Sequence, residues 1–217
     1  TAAGEDMAAR GGFHWALAGG STPQGLYRLL AGPDFAGRVP WSKVHVWFGD
    51  ERCVPPDHAD SNFRMASQAL LDHVPVPPGQ IHRLAGETPP EQAAAAYAEA
   101  LRAHLPANAT GTPVLDLVLL GLRPDGHVAS LFPATQTLAA SDPVTAVHVP
   151  KLDAWRLSLT LPVINAARRV WLLAAGADKA AVVRDALREP GTEPLPVQRL
   201  APHREWRWFL DRAASPG

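Results

Sequence analysis

An α/β fold built on a mostly parallel sheet is the class this sequence predicts, and three observations predict it. Short strand-like runs alternate with amphipathic helical patterns along most of the chain. The strand-like runs are apolar almost throughout, as in strands buried on both faces. Glycine, proline and small polar residues collect where those runs end, which marks turns leading into helices.

Taken in order, FHWALA (Phe13 to Ala18) is the first strand, and a helical pattern, PQGLYRLLA, follows from Pro23. KVHVWF (Lys43 to Phe48) is the second strand, with the amphipathic SNFRMASQALLDHV beginning at Ser61. A proline-rich connection, VPVPPG, precedes a further helix, EQAAAAYAEALRAHL, from Glu91. LDLVLL (Leu115 to Leu120), RLSLTL (Arg156 to Leu161) and RVWLLAA (Arg169 to Ala175) complete the strands. DKAAVVRDAL from Asp178 reads as a helix. REWRWFLDRA reads as a last one, with Trp206, Phe209 and Leu210 turned to the body. PATQTLAASDPVTA (Pro133 to Ala146) is loop-like but short for an interdomain linker. Such alternation builds βαβ units. With no internal repeat, a chain of 217 residues is expected to form one domain over 1–217. Its start at Thr1 rather than methionine predicts an incomplete amino-terminal segment.

Composition narrows the function. A net charge of −1, with no long basic run, argues against a nucleic-acid or polybasic membrane surface. No apolar stretch approaches the ~20 residues of a membrane span, and the first residues lack the apolar core of a signal peptide. One cysteine, Cys53, excludes an intrachain disulfide framework and fits a reducing cytoplasm. The histidines show no pairing at metal-ligand spacing on one helix face, so no metal is expected.

Three strand ends carry chemistry-bearing residues, and ligands of open α/β sheets gather outside such ends. After the first strand, Gly19, Gly20, Ser21 and Thr22 lead into the helix, with Thr22 placed as its N-cap and Pro23 in its first turn. This reads either as an ordinary capped turn or as a glycine-lined anion site at a helix start. After the second strand come Asp50, Glu51 and Arg52, either a local ion-pair cluster or an arginine fork for a carbonyl or phosphate oxygen. Cys53 beside them has no evident activating partner and reads as packing. After LDLVLL, Gly121 and Pro124 break the strand. Gly126 then bends the chain between Asp125 and His127, so that the histidine is either merely structural or, beside a carboxylate, a natural general base near neutral pH. Either aspartate, Asp125 or Asp50, is a candidate to orient that histidine or a water. Lys179 sits in the first turn of a helix, where a cation opposes the helix dipole unless an anion is bound, so it is either simply solvent-exposed or beside an anion. With Arg156 it could close a phosphate site.

The ordered set ALAGGSTPQGLY, VHVWFGDERCVPPDHADSNFRMA, DLVLLGLRPDGHVASLFP and RLSLTLPVINAARRVWLLAAGADKAAVV resembles the 6-phosphogluconolactonases, within the wider glucosamine-6-phosphate isomerase/6-phosphogluconolactonase family. The resemblance implies a three-layer α/β/α Rossmann-like fold. It also implies cofactor-independent hydrolysis of 6-phosphoglucono-δ-lactone to 6-phosphogluconate, in a cytoplasmic protein that is a monomer or weak homo-oligomer. It makes His127 the general base, sets Arg52 near the lactone carbonyl, and gives the phosphate to Gly19, Gly20, Ser21, Thr22, Arg156 and Lys179. This chain departs from the family pattern at Arg123, where glycine is usual. Arginine is tolerated there at negative φ and strained at positive φ; at the pocket mouth it would add charge.

Two other readings share the scaffold. A glucosamine-6-phosphate deaminase usually has an aromatic residue where Arg52 stands, and an Asn-Glu pair where VASLFP follows His127. A non-catalytic sugar-phosphate sensor could lose the acid/base, yet His127 and Arg52 are both present and no helix-turn-helix pattern is evident.

Overall fold

The computed structural model of the protein describes residues 11–150, 153–202 and 204–216. The segment expected to be incomplete at the amino terminus falls on residues 1–10, outside the described residues. Strands β1 (Phe13–Leu17), β2 (Val44–Phe48), β4 (Leu117–Gly121), β7 (Arg169–Ala174) and β8 (Glu205–Leu210) form one sheet in the order β2-β1-β4-β7-β8. All its pairings are parallel. The predicted α/β class with a mostly parallel central sheet is therefore what the chain adopts. A smaller antiparallel sheet has the order β3-β6-β5, from β3 (Asp50–Arg52), β6 (Ala154–Leu159) and β5 (Val144–Val149). The helices are α1 (Ser21–Ala31), α2 (Asn62–Ala69), α3 (Pro90–His104), α4 (Leu161–Ala166) and α5 (Ala180–Ala186).

This strand order locates the functional end of the molecule. From β1 the chain crosses to β2 on one side, while β4 enters on the other. The carboxyl ends of β1 and β4 therefore flank a topological switch point, where a crevice opens. The two sheets meet at Gly49, whose N–H donates to Leu17 O at 2.8 Å while its carbonyl accepts from Leu159 N–H at 2.8 Å.

Two buried tyrosines tie helices to the strand ends beside that crevice. The Tyr27 hydroxyl on α1 donates to Ala18 O (2.8 Å) and accepts from Ala18 N–H (2.9 Å). Tyr97 on α3 accepts from Phe48 N–H at 2.7 Å, one residue before Gly49. Each hydroxyl satisfies backbone groups that the strand end would otherwise leave unpaired in the core. Burial drives both phenols to higher pKa, so they remain neutral donors and acceptors.

On the β1–β2 side of the parallel sheet, four histidines distant in sequence gather around Trp47. His14 and His45 stack with ring centroids 4.5 Å apart, and His82 lies flat on Trp47 at 3.9 Å. His45 Nδ1 and His82 Nε2 are 3.2 Å apart, and His104 packs against His82 at 4.8 Å. Among the described residues no group of three or more histidine, cysteine or acidic side chains is arranged to hold a metal.

Three sequence expectations change. REWRWFLDRA is a strand over Glu205–Leu210, not a helix: β8 pairs with β7 in parallel register, and Phe209, 45% exposed, lies at the surface with its ring edge-on to Trp171. Alternating tryptophans suit a pleated edge, and that tertiary pairing overrides the helical pattern. PATQTLAASDPVTA is not all loop, since its end begins β5. RLSLTL lies in the antiparallel sheet, and its last residue, Leu161, starts α4. Among the described residues no helix is long and apolar enough to cross a membrane.

Candidate active site

A cleft of about 400 Å³ opens at the switch point. Its lining comes from both sheets: Gly19 after β1, Asp50 and Arg52 on β3, Arg156 on β6, and Asp125 and His127 after β4. A smaller cavity of about 60 Å³ is lined by Gly19, Gly20, Ser21, Thr22 and Lys179, and the two share Gly19, Gly121 and Arg123. All the site residues expected from the sequence thus line one of two adjoining cavities.

The turn carrying His127 is built by its backbone. Arg123 O accepts from Gly126 N–H (2.9 Å) and Arg123 N–H donates to His127 O (3.2 Å), with Pro124 at the second turn position, where its φ is favoured. Gly126 has φ +78°, and a Cβ there would lie 2.9 Å from the Leu195 side chain, so both conformation and space demand glycine. Arg123 is not among the positive-φ residues, so the arginine is unstrained.

His127 Nδ1 lies 2.7 Å from Asp125 Oδ1, and the ring packs on Phe132 with centroids 4.2 Å apart. Of the two candidate aspartates, Asp125 is the one within hydrogen-bonding distance of the ring. With Nδ1–H donated, the basic nitrogen is Nε2. Burial lowers the pKa of His127, with a smaller contribution in the same direction from Arg123; Asp125 and Asp50 pull the other way. The imidazole is thereby kept neutral and able to accept a proton at neutral pH.

Asp50 is held differently. Its Oδ2 accepts from Ser130 Oγ at 2.8 Å, and Asn62 Nδ2 donates to its carbonyl at 2.9 Å and to Oδ1 at 3.3 Å. Ser130 reaches it because Ala129 takes φ 49°, a costly conformation for alanine that reverses the chain after His127. Asn62 reaches it across the place where Gly19 lacks a side chain: a Cβ on Gly19 would stand 2.0 Å from Asn62 Oδ1. Glu51 is 2% exposed and turned away from the cleft. Its carboxylate accepts from Ser61 Oγ and from the backbone N–H of Arg52, Asn62 and Phe63, which fastens β3 to the start of α2. Burial pushes that carboxyl up, and the backbone donors oppose the shift.

Arg52 and Arg156 stand directly opposite each other across β3 and β6. Like charges so placed repel unless an anion joins them, and burial together with the Arg52 guanidinium disfavours the charge on Arg156. Arg52 Nη1 donates to the Asp60 carbonyl, and Arg156 Nη1 to Trp155 O at 3.1 Å. In the smaller cavity the N-cap of α1 is Gly20, not Thr22, which lies inside the helix. No side chain caps this end, so its first N–H groups face the cavity without side-chain partners. Lys179, at the end of a turn that leads into α5, pairs with Asp178 at 2.8 Å. Burial pushes the Cys53 thiol up to about 11, in keeping with a packing role.

Sequence reasoning missed Asn62, Ser130 and Phe132. Nothing in their spacing distinguishes them from helix-start or core residues; only the fold brings them to Asp50 and His127.

Comparison with known proteins identifies the family. The family described as "Glucosamine-6-phosphate isomerases/6-phosphogluconolactonase" matches residues 1–208. The chain is 43% identical to a 6-phosphogluconolactonase of Streptomyces coelicolor, covering 96% of this chain and 83% of that one. It is 41% identical to a 6-phosphogluconolactonase of Synechocystis, over 96% and 86%. The solved 6-phosphogluconolactonase of Trypanosoma brucei superposes with a TM-score of 0.87 at 29% identity, covering 98% of this chain and 89% of that one. With the family matched across nearly its whole length and the strand-end site in place, this chain belongs to the glucosamine-6-phosphate isomerase/6-phosphogluconolactonase family.

Proposed function

We propose that this protein is a single-domain, cytoplasmic 6-phosphogluconolactonase, a monomer or weak homo-oligomer. It hydrolyses 6-phosphoglucono-δ-lactone to 6-phosphogluconate in the oxidative pentose phosphate pathway. The observation that carries this reading is the 2.7 Å bond between His127 Nδ1 and Asp125, in a cleft that also holds Arg52 and Arg156. Relatives of the same name, similar over most of the chain, support it.

In this mechanism Nε2 of neutral His127 takes a proton from water as the water oxygen bonds to C1 of the lactone. Negative charge develops on the carbonyl oxygen, and Arg52 stabilises it, an effect worth a few kcal/mol for such a donor (about 3–4). The bond from C1 to the ring oxygen then breaks, and His127 returns its proton to that departing oxygen. Water is thereby consumed, a carboxylic acid is formed, and the imidazole is regenerated neutral. Asp125 holds the ring in the required tautomer, while Asp50, fixed by Ser130 and Asn62, presents acceptor oxygens to the sugar hydroxyls. The phosphate sits at the start of α1 between Gly19 and Thr22, with Lys179 on the same cavity and Arg156 reaching from the larger one. This remote handle orients the carbonyl, the source of proximity gains. The steps need only side chains and water, with no metal or cofactor.

Hydrolysis of freshly made lactone, measured above the spontaneous rate, tests the reading. The wild type accelerates it, and His127→Ala loses on the order of 10²–10⁴ in kcat while remaining folded. Near-normal kcat in that variant would overturn the assignment.

A further inference from the structure

Arg123 stands at the junction of the two cavities and lines both. It is exposed, and among the described residues its guanidinium makes no hydrogen bond or ion pair that holds it in place. The neighbouring cations differ: Arg52 and Arg156 are tethered to carbonyls, and Lys179 is paired with Asp178. Only the backbone of Arg123 shapes the His127 turn, and it does so at negative φ without needing glycine. The side chain is therefore free to serve a ligand, long enough to swing over whatever occupies either cavity, and always charged.

We propose that Arg123 is a specificity-determining residue. Its guanidinium closes over the substrate phosphate from the rim where the cavities meet, and so selects phosphorylated over unphosphorylated lactones. A planar fork of donors matches two phosphate oxygens at once, which an ammonium does not. This inference rests on the lactonase reading and adds to it a contact that the turn itself does not require.

The test compares wild type, Arg123→Ala and Arg123→Lys. kcat and KM are measured on 6-phosphoglucono-δ-lactone and on glucono-δ-lactone, and binding of 6-phosphogluconate by calorimetry. Arg123→Ala lowers the ratio of kcat/KM for the phosphorylated over the unphosphorylated lactone by about tenfold, chiefly through KM, and weakens 6-phosphogluconate binding by about tenfold. Arg123→Lys recovers part of both losses. An unchanged ratio together with unchanged binding overturns the proposal. If the wild type binds 6-phosphogluconate through Arg123 but hydrolyses neither lactone, the anion contact stands and the lactonase reading falls. If it neither binds nor turns over, both fall.

Discussion

The histidines stacked around Trp47 are expected to make the fold acid-sensitive, and His82→Phe tests the contribution of His82. Burial pushes His82 down to about 4, helped by His104 and His45. His45 is lowered by the same causes, burial first and His104 second. In the unfolded chain an imidazole titrates near 6.5. Between those values the unfolded state binds a proton that the folded state refuses, so stability rises with pH across the window. The His82 contribution is complete above about pH 6.5 and is lost as pH falls towards about 4. The full difference would correspond to about 3 kcal/mol, at about 1.4 kcal/mol per tenfold change in proton affinity. His82 is only half-buried, and solvent screening reduces the expected loss to about 1–2 kcal/mol. Phenylalanine keeps the stack on Trp47 and removes the titrating nitrogens. Urea unfolding at about pH 7 and about pH 4.5, on wild type and His82→Phe, reads the difference. The variant loses less stability on acidification, by about 1–2 kcal/mol. Equal acid losses in both proteins would refute the reasoning, because carboxylates are common to them and the ring is not.

Two other perturbations act at the His127 turn. Asp125→Asn keeps the shape but removes the charge that raises the pKa of His127. The acid limb of kcat/KM therefore moves to lower pH while the plateau falls by about 10²-fold, as the tautomer is no longer held; an unmoved limb in the pH–rate profile would contradict the pairing. Gly126→Ala must hold an alanine at φ +78° against Leu195. It costs about 1–2 kcal/mol in urea unfolding and lowers kcat by displacing His127.

Sequence reached the parallel sheet because β1, β2, β4 and β7 are written as apolar runs with helices between them. It missed the second sheet because β3 is Asp50-Glu51-Arg52, three charges whose pairing with β6 depends on contacts a hundred residues away. Charged and aromatic residues in REWRWFLDRA fit a helix and an edge strand alike, and only the free edge of β7 decides. The candidates His127, Asp125, Arg52 and Asp50 could be singled out because they come soon after strand-like runs, and the fold brings all four to one cleft. The partners that aim them could not be, since Ser130 reaches Asp50 through the unusual backbone of Ala129, and Asn62 through the gap at Gly19. The split of Arg156 and Lys179 between two cavities was equally invisible, because it depends on where β6 packs relative to β7.

Gly49 is a single peptide spliced into two sheets, bonded to β1 on one side and to the end of β6 on the other. Its position makes it a rivet between the jaws of the cleft. Rotating one jaw against the other would strain one or the other of these buried bonds, so the pair resists a change of aperture. To the extent that the jaws keep this spacing, little free energy is spent on moving them, and the cleft favours ligands that match its span.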